Sequence, residues 1–247
     1  MTNKIQKTAE GEGLLDDASN YDKDKYEKPS VTADICICTI DDDKLKVLMI
    51  KRKHAPFRGK WACPGGFLEI PKKQTLEQTA VRELEEETGV KGIPVHQLAT
   101  YSGVKRDPRM RIVTTAYFAC VDSSVIERQN IKAADDADDY IWMNLKDLPK
   151  LAFDHNKILD DLYERLQGRV VYADIAFQFV AKEFTWSELQ HVYEVILDRK
   201  LITPNFRRKI KKLYYIEETK RMSKPERGRP SKLLRFNGIK PTFDIKV

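Results

Sequence analysis

Residues Gly65–Val90 read GGFLEIPKKQTLEQTAVRELEEETGV, and the second half of this stretch decides the fold around it. Thr75 followed three residues later by Gln78 is a capping box, and Gly89 stands where a helix end calls for a left-handed residue. Leu76, Ala80 and Leu84 recur at every fourth position, an apolar stripe that faces a core. Glu83, Glu86 and Glu87 fall at i, i+3 and i+4, so three carboxylates crowd a different face. Like charges at this spacing repel. Either water screens them, as on most acidic helices, or a hard divalent cation held by oxygen ligands turns the repulsion into a binding site.

Working towards the N-terminus, FRGKWACPGGF is a glycine-punctuated loop whose Gly65 and Gly66 allow close approach of a metal or a phosphate. Ahead of it, SVTADICICTI and KLKVLMIKRK are strand-like runs separated by three aspartates, the second ending at Arg52 and Lys53. Residues 1–28 are polar with little apolar periodicity and are expected to form a disordered tail. Beyond the helix, PVHQLATYSGV and RIVTTAYFACV are two more strands. Between them KRDPRMR carries Arg109 and Arg111, spaced for bidentate contact with phosphate oxygens. Asp135, Asp136, Asp138 and Asp139 precede a further short strand and are either solvated loop acids or a source of another ligand or base. FDHNKILDDLYERLQGRV then reads as a helix, with Ile158, Leu159, Leu162 and Leu166 on one side and Gly168 just past its end.

The pattern changes near Val170. Thr185 and Glu188 form a second capping box opening WSELQHVYEVILDR, whose Leu189, Val192, Tyr193 and Ile196 make an apolar stripe. Thr203 as N-cap and Pro204 at the first helical position open NFRRKIKKL. Two short helices joined by a brief turn, the second loaded with Arg207, Arg208, Lys209, Lys211 and Lys212, form a helix-turn-helix layout. YYIEETK and SKLLRF, flanking a basic Gly/Pro segment, supply the hairpin that a winged variant requires. Arg227, Arg229, Lys232 and Arg235 would approach a phosphate backbone there. A helical dimerisation appendage is the plainer account of the same pattern.

The 247 residues carry a formal charge of +6 that is unevenly spread. Val170–Val247 holds 17 Lys/Arg against 9 Asp/Glu, and the rest 27 against 29, so a basic rear follows a nearly neutral front. That asymmetry points to a small-molecule domain followed by one that meets a polyanion. No apolar run approaches the length of a membrane span, and the start of the chain is unlike a signal peptide. Cys36, Cys38, Cys63 and Cys120 lack a paired C-x-x-C arrangement and read as small buried residues of a reducing cytoplasm.

Pro64-Gly65-Gly66 followed by Arg82-Glu83-Leu84-x-Glu86-Glu87-x-Gly89-Val90 resembles the Nudix box, found in hydrolases of nucleoside diphosphates linked to another moiety. Every fixed position of the second half is matched. In the first half, Gly66 and Arg82 stand two residues farther apart than in the pattern, and its acid falls on Lys72 or on Gln74 depending on the end counted from. With RDPRMR, AFDHNKIL, FTWSELQHVYEVIL, NFRRKI and GRPSKLLRF, the chain from about Val31 to Phe236 is similar to the Nudix-related transcriptional regulators called NrtR. The resemblance implies an α/β chain: a Nudix α/β/α sandwich over residues 29–168 and a winged helix-turn-helix domain over 169–247. It also implies a cytoplasmic homodimer that represses genes of NAD metabolism, binds ADP-ribose or a related nucleotide, and docks on a double-stranded DNA operator.

In that reading Mg2+ (or Mn2+) rests on Glu83, Glu86 and Glu87, with Arg82 orienting these carboxylates. Arg109, Arg111, Gly65 and Gly66 meet the nucleotide, and Glu86, Glu87 or Asp136 could serve as base. Arg207, Arg208, Lys209, Arg227, Arg229 and Lys232 meet DNA. Because the three glutamates are kept, ADP-ribose pyrophosphatase activity is compatible with the chain. The alternatives are a plain Nudix hydrolase with a basic extension, and a regulator with a neutral sugar effector, which would have no use for the acidic helix.

Overall fold

The computed structural model describes residue 22 and residues 24–125, 137–224 and 229–240. The disordered-tail expectation, Asp135, Asp136 and Arg227 fall almost wholly or wholly outside them.

Strand β1 (Ser30–Asp41) is the spine of a seven-stranded mixed sheet. Along one edge its first half pairs antiparallel with β4 (Gly65–Phe67) and its second half with β2 (Lys44–Arg52). Along the other edge it runs parallel to β6 (Ile112–Cys120) from Ser30↔Ile112 to Cys38↔Cys120. Outside these lie β3 (Trp61–Ala62) and β7 (Ala137–Asn144) against β2, and β5 (His96–Tyr101) against β6. β1 is buried from Thr32 to Thr39, as befits a strand covered on both faces.

One face is covered by helix α1 (Leu76–Thr88). The capping box forms in both directions: Gln78 N–H donates to Thr75 Oγ1 at 3.2 Å and Thr75 N–H to Gln78 Oε1 at 2.9 Å. Gly89 takes φ 75° and donates to Glu85 O at 2.9 Å. Ala80 and Leu84 pack with Ile35, Ile37 and Leu48 in one core cluster, with Leu76 partly buried beside them. The other face, carrying Cys36, Cys38, Val47 and Met49, receives α2 (His155–Tyr172). All four cysteines are free and buried.

Helix α2 does not stop at Gly168. It runs on to Tyr172, because Leu166 and Val170 on either side of the glycine are both fully buried. A glycine inside a helix costs about 1 kcal/mol, which burial of two such side chains outweighs. The expected boundary at 168/169 therefore lies within a helix shared by both halves of the chain.

A 3-10 turn (Asp174–Phe179) leads to α3 (Trp186–Leu197), opened by the Thr185–Glu188 capping box, and to α4 (Thr203–Leu213). Ile202, not Thr203, precedes α4, so Pro204 is its second residue and the missing N–H is still an orphan position. β8 (Tyr214–Met222) and β9 (Lys232–Ile239) form the wing, and Phe184 bridges to Leu234 as a third short segment. Phe177 stacks on Phe236 with centroids 4.1 Å apart and meets Tyr214 edge-on. A single apolar cluster runs from Cys36 of the sheet through Leu162 and Leu166 of α2 to Ile196, Ile210 and Leu234. Among the described residues no helix is long and apolar enough to cross a membrane.

Candidate functional site

α1 carries Arg82, Glu83, Glu86 and Glu87 towards the glycine pair of β4. Gly65 N–H donates to Glu87 Oε2 at 2.8 Å. A Cβ on Gly65 would lie 2.6 Å from Ala33 O, and one on Gly66 would overlap the Glu83 carboxylate. The two glycines thus admit the helix's own carboxylates and the backbone of β1, rather than serving only an incoming phosphate.

Arg82 is the hub. Its side chain is 12% exposed and reaches Glu83 at 2.7 Å and Glu86 at 2.6 Å. It also donates to Phe67 O at 3.3 Å and, through Nε, to Gln74 Oε1 at 3.0 Å. Counting back from the arginine therefore finds the residue that stands where the pattern has an acid: Gln74, not Lys72. The two extra residues are taken up in a 3-10 turn (Ile70–Lys72) closed by Lys73 at φ 51°. That turn brings in Glu69, which sequence reading missed, 3.5 Å from Arg82 and 2.8 Å from Lys72.

The three glutamates do not converge. Glu83 and Glu87, four residues apart, share the glycine side, whereas Glu86 is half exposed and drawn to Arg82. Among the described residues no three His, Cys, Asp or Glu side chains are gathered as a ready-made metal cluster. The pair that remains is electrostatically unbalanced. Burial pushes Glu87 up to about 8, with the charges of Glu83 and Asp34 adding to it. Burial raises Glu83 as well, against the pull of Arg82. Two half-buried carboxylates that resist ionising together are suited to a cation held by one or two carboxylates plus a ligand phosphate.

Beside them opens a cavity of about 170 Å³ lined by Asp34, Arg52, Gly65, Gly66, Phe67, Arg106, Arg109, Phe153 and His155. Arg109 is held by Asp107 through Nε at 3.0 Å and Nη2 at 2.8 Å, and lies over the rings of Phe67 and Phe153. Arg52 donates to Pro56 O at 3.0 Å and stacks 4.8 Å from Phe153. Burial lowers its guanidinium from the ordinary value, and the nearby charge of Arg109 adds to this. Asp34 accepts from Thr114 Oγ1 at 2.7 Å.

Arg111 does not line this cavity. It immediately precedes inward-facing Ile112 of β6 and, one residue out of phase, is exposed. Its place is taken by Arg106 and Arg52, from the loop after β5 and the end of β2. Arg106 lay in the quoted KRDPRMR motif, but no sequence signal separates an inward from an outward arginine in a loop.

In the second half, Phe206 and Ile210 bury one face of α4 and leave Arg207, Arg208, Lys209, Lys211 and Lys212 exposed. Arg208 Nη2 donates to Asn205 Oδ1 at 3.0 Å, and Arg207 lies over Trp186 at 5.7 Å. Lys209 turns to a separate cavity between α3 and α4. In the wing Arg229 is exposed and Lys232 pairs across the hairpin with Glu218 at 2.8 Å. Arg235 pairs with Glu183 at 2.9 Å, which Arg221 also holds.

A mixed sheet presenting a carboxylate-loaded helix to a glycine pair, continued by two helices and a wing, defines a Nudix domain joined to a winged helix. A family model described as the NUDIX domain matches residues 30–166, and one described as the NrtR DNA-binding winged helix domain matches residues 176–236. The ADPR responsive transcriptional repressor NtrR of Acinetobacter baylyi is 34% identical over 220 residues, which cover 88% of this chain and 86% of that protein. The ADP-ribose pyrophosphatase of Methanocaldococcus jannaschii is 40% identical over 136 residues, 55% of this chain and 74% of its own length. The crystal structure of Shewanella oneidensis NrtR complexed with a 27mer DNA superposes with a TM-score of 0.73 at 34% identity, covering 84% of this chain and 93% of the other. The chain belongs to the NrtR family of Nudix-domain proteins.

Proposed function

We propose that this chain is an ADP-ribose-responsive transcriptional repressor, holding the nucleotide in residues 29–168 and operator DNA on residues 169–247. The observation that carries this reading is the joining, through α2, of a cavity ringed by Arg52, Arg106 and Arg109 to a helix whose exposed face is basic. Two relatives that span both parts are a repressor responsive to ADPR and a protein crystallised on DNA. In keeping with the family resemblance, the chain acts as a cytoplasmic homodimer on genes of NAD metabolism.

Arg109, kept in orientation by Asp107, and Arg52 would take the diphosphate oxygens. Phe67 and Phe153 offer apolar walls. Glu83 and Glu87 would hold Mg2+ or Mn2+, with Glu86 kept to Arg82. Such an ion screens diphosphate charge and activates water when bound. Arg82 and Gly65 N–H each partly oppose the rise that burial imposes on Glu83 and Glu87. Since this acidic pair is retained, incubation with ADP-ribose and Mg2+ is expected to release AMP and ribose 5-phosphate. Binding without product after prolonged incubation would make the domain a sensor only.

The DNA half is tested by titrating the chain onto duplex from its own upstream region. Arg208, near the start of α4, is expected to read a base edge. Arg208→Ala should cost roughly 1–3 kcal/mol and relax specificity at one position. Arg229→Ala should weaken all sequences alike and flatten the salt dependence by about one unit of slope. Absence of any specific complex at moderate salt, with or without nucleotide, would leave the plain hydrolase.

A further inference from the structure

Helix α2 begins at the nucleotide cavity and ends within the winged helix. Phe153 and His155 line the cavity, and Asp154 between them is the residue that precedes the helix. An aspartate at that position ordinarily accepts from the first free N–H groups of its helix. Here the carboxylate is turned to Arg106, which donates from Nε to Oδ2 at 3.0 Å and from Nη2 to Oδ1 at 2.8 Å. Arg106 also lines the cavity, with its Nη2 3.6 Å from Asp34 Oδ2. One buried guanidinium is thus shared between the cavity and the start of the helix. Phe153 is held at φ 51°, a backbone conformation that non-glycine residues seldom keep unless their surroundings enforce it.

At the far end, Leu162, Leu166 and Val170 are buried in the same cluster as Val192 and Ile196 of α3. Gln167 Nε2 donates to Ile196 O at 3.2 Å. A helix of this length spans about 27 Å, so a tilt at its first turn is delivered to the winged helix.

We propose that the Arg106–Asp154 pair couples the two sites. An anionic group of the nucleotide competes with Asp154 for Arg106, releases the carboxylate to cap α2, and resets the helix beneath α3. This rests on the reading of the cavity as the ADP-ribose site. Asp154 is a positioning residue, acting through Arg106 and α2 rather than on the ligand.

The test uses the full chain with Asp154→Asn and Asp154→Ser, both of which keep a side chain suited to the N-cap. DNA affinity is measured by anisotropy with and without saturating ADP-ribose, and ADP-ribose affinity by calorimetry. In the parent, ADP-ribose should change DNA affinity by about fivefold or more. In both variants ADP-ribose should still bind, while the change in DNA affinity falls below about twofold. Variants that bind both ligands and keep the parental ratio overturn the coupling and leave the functional reading standing. Loss of ADP-ribose binding in both also overturns it, because Asp154 would then belong to the binding site. A parent whose DNA affinity ignores bound ADP-ribose overturns the functional reading itself, and the coupling with it.

Discussion

Exchanging Glu83 and Glu87 together for glutamine is expected to abolish Mg2+-dependent handling of ADP-ribose, while the metal-free chain becomes more stable at alkaline pH. The loss follows because a hard cation depends on charged oxygens, and Gln supplies none. The gain follows from Glu87, raised from 4.5 to about 8 in the folded chain. Folding therefore takes up a proton between these values. The stability linked to it is fully present below about 4.5 and is lost as pH rises through about 8. A neutral glutamine keeps its acceptor for Gly65 N–H and loses nothing over that range. Unfolding by denaturant at pH 6 and pH 9 should thus show the variant's advantage growing to about 2 kcal/mol or more at the higher pH. A variant that loses stability relative to the parent as pH rises, or that handles ADP-ribose as the parent does, would mean a merely solvated acidic face.

The second large effect concerns the shared core. Leu166→Ala removes a fully buried leucine from the centre of the cluster that joins sheet, α2 and α3. The expected cost is about 3–5 kcal/mol, the range for a leucine whose cavity collapses poorly. Since the cluster is continuous from Cys36 to Leu234, parent and variant should each melt in one transition, the variant at lower temperature. Two resolved transitions in the parent would show that the two halves unfold independently.

The parts legible in the sequence were those fixed by local chemistry. Both capping boxes, the stripe of α1 and its acidic face follow from spacing along one helix. So do the basic face of α4 and the strands of the wing. The cavity was legible only in fragments, because its walls come from β1, the end of β2, the loop after β5 and the residues before α2. It is the parallel pairing of β1 with β6, with Thr32 opposite Thr114, that brings the Thr114 hydroxyl within reach of Asp34, and nothing in either run announces it. Arg106 was hidden for the same reason: its partner Asp154 lies 48 residues away. Gly168 misled because a glycine's local preference for ending a helix was overridden by the burial of Leu166 and Val170 around it. The acidic face and the i, i+4 pairing of Arg82 with Glu86 followed from spacing, whereas the hydrogen bond from Gly65 N–H to Glu87 did not.

Linkage between the two sites is the centre of this account, and it is reciprocal by necessity. The most direct measurement is the ADP-ribose affinity of the full chain by calorimetry, first free and then saturated with its own operator. The account predicts that operator changes this affinity by about fivefold or more, by the same factor as ADP-ribose changes DNA affinity. Equal ADP-ribose affinities in the two states, with both ligands demonstrably bound, would contradict it.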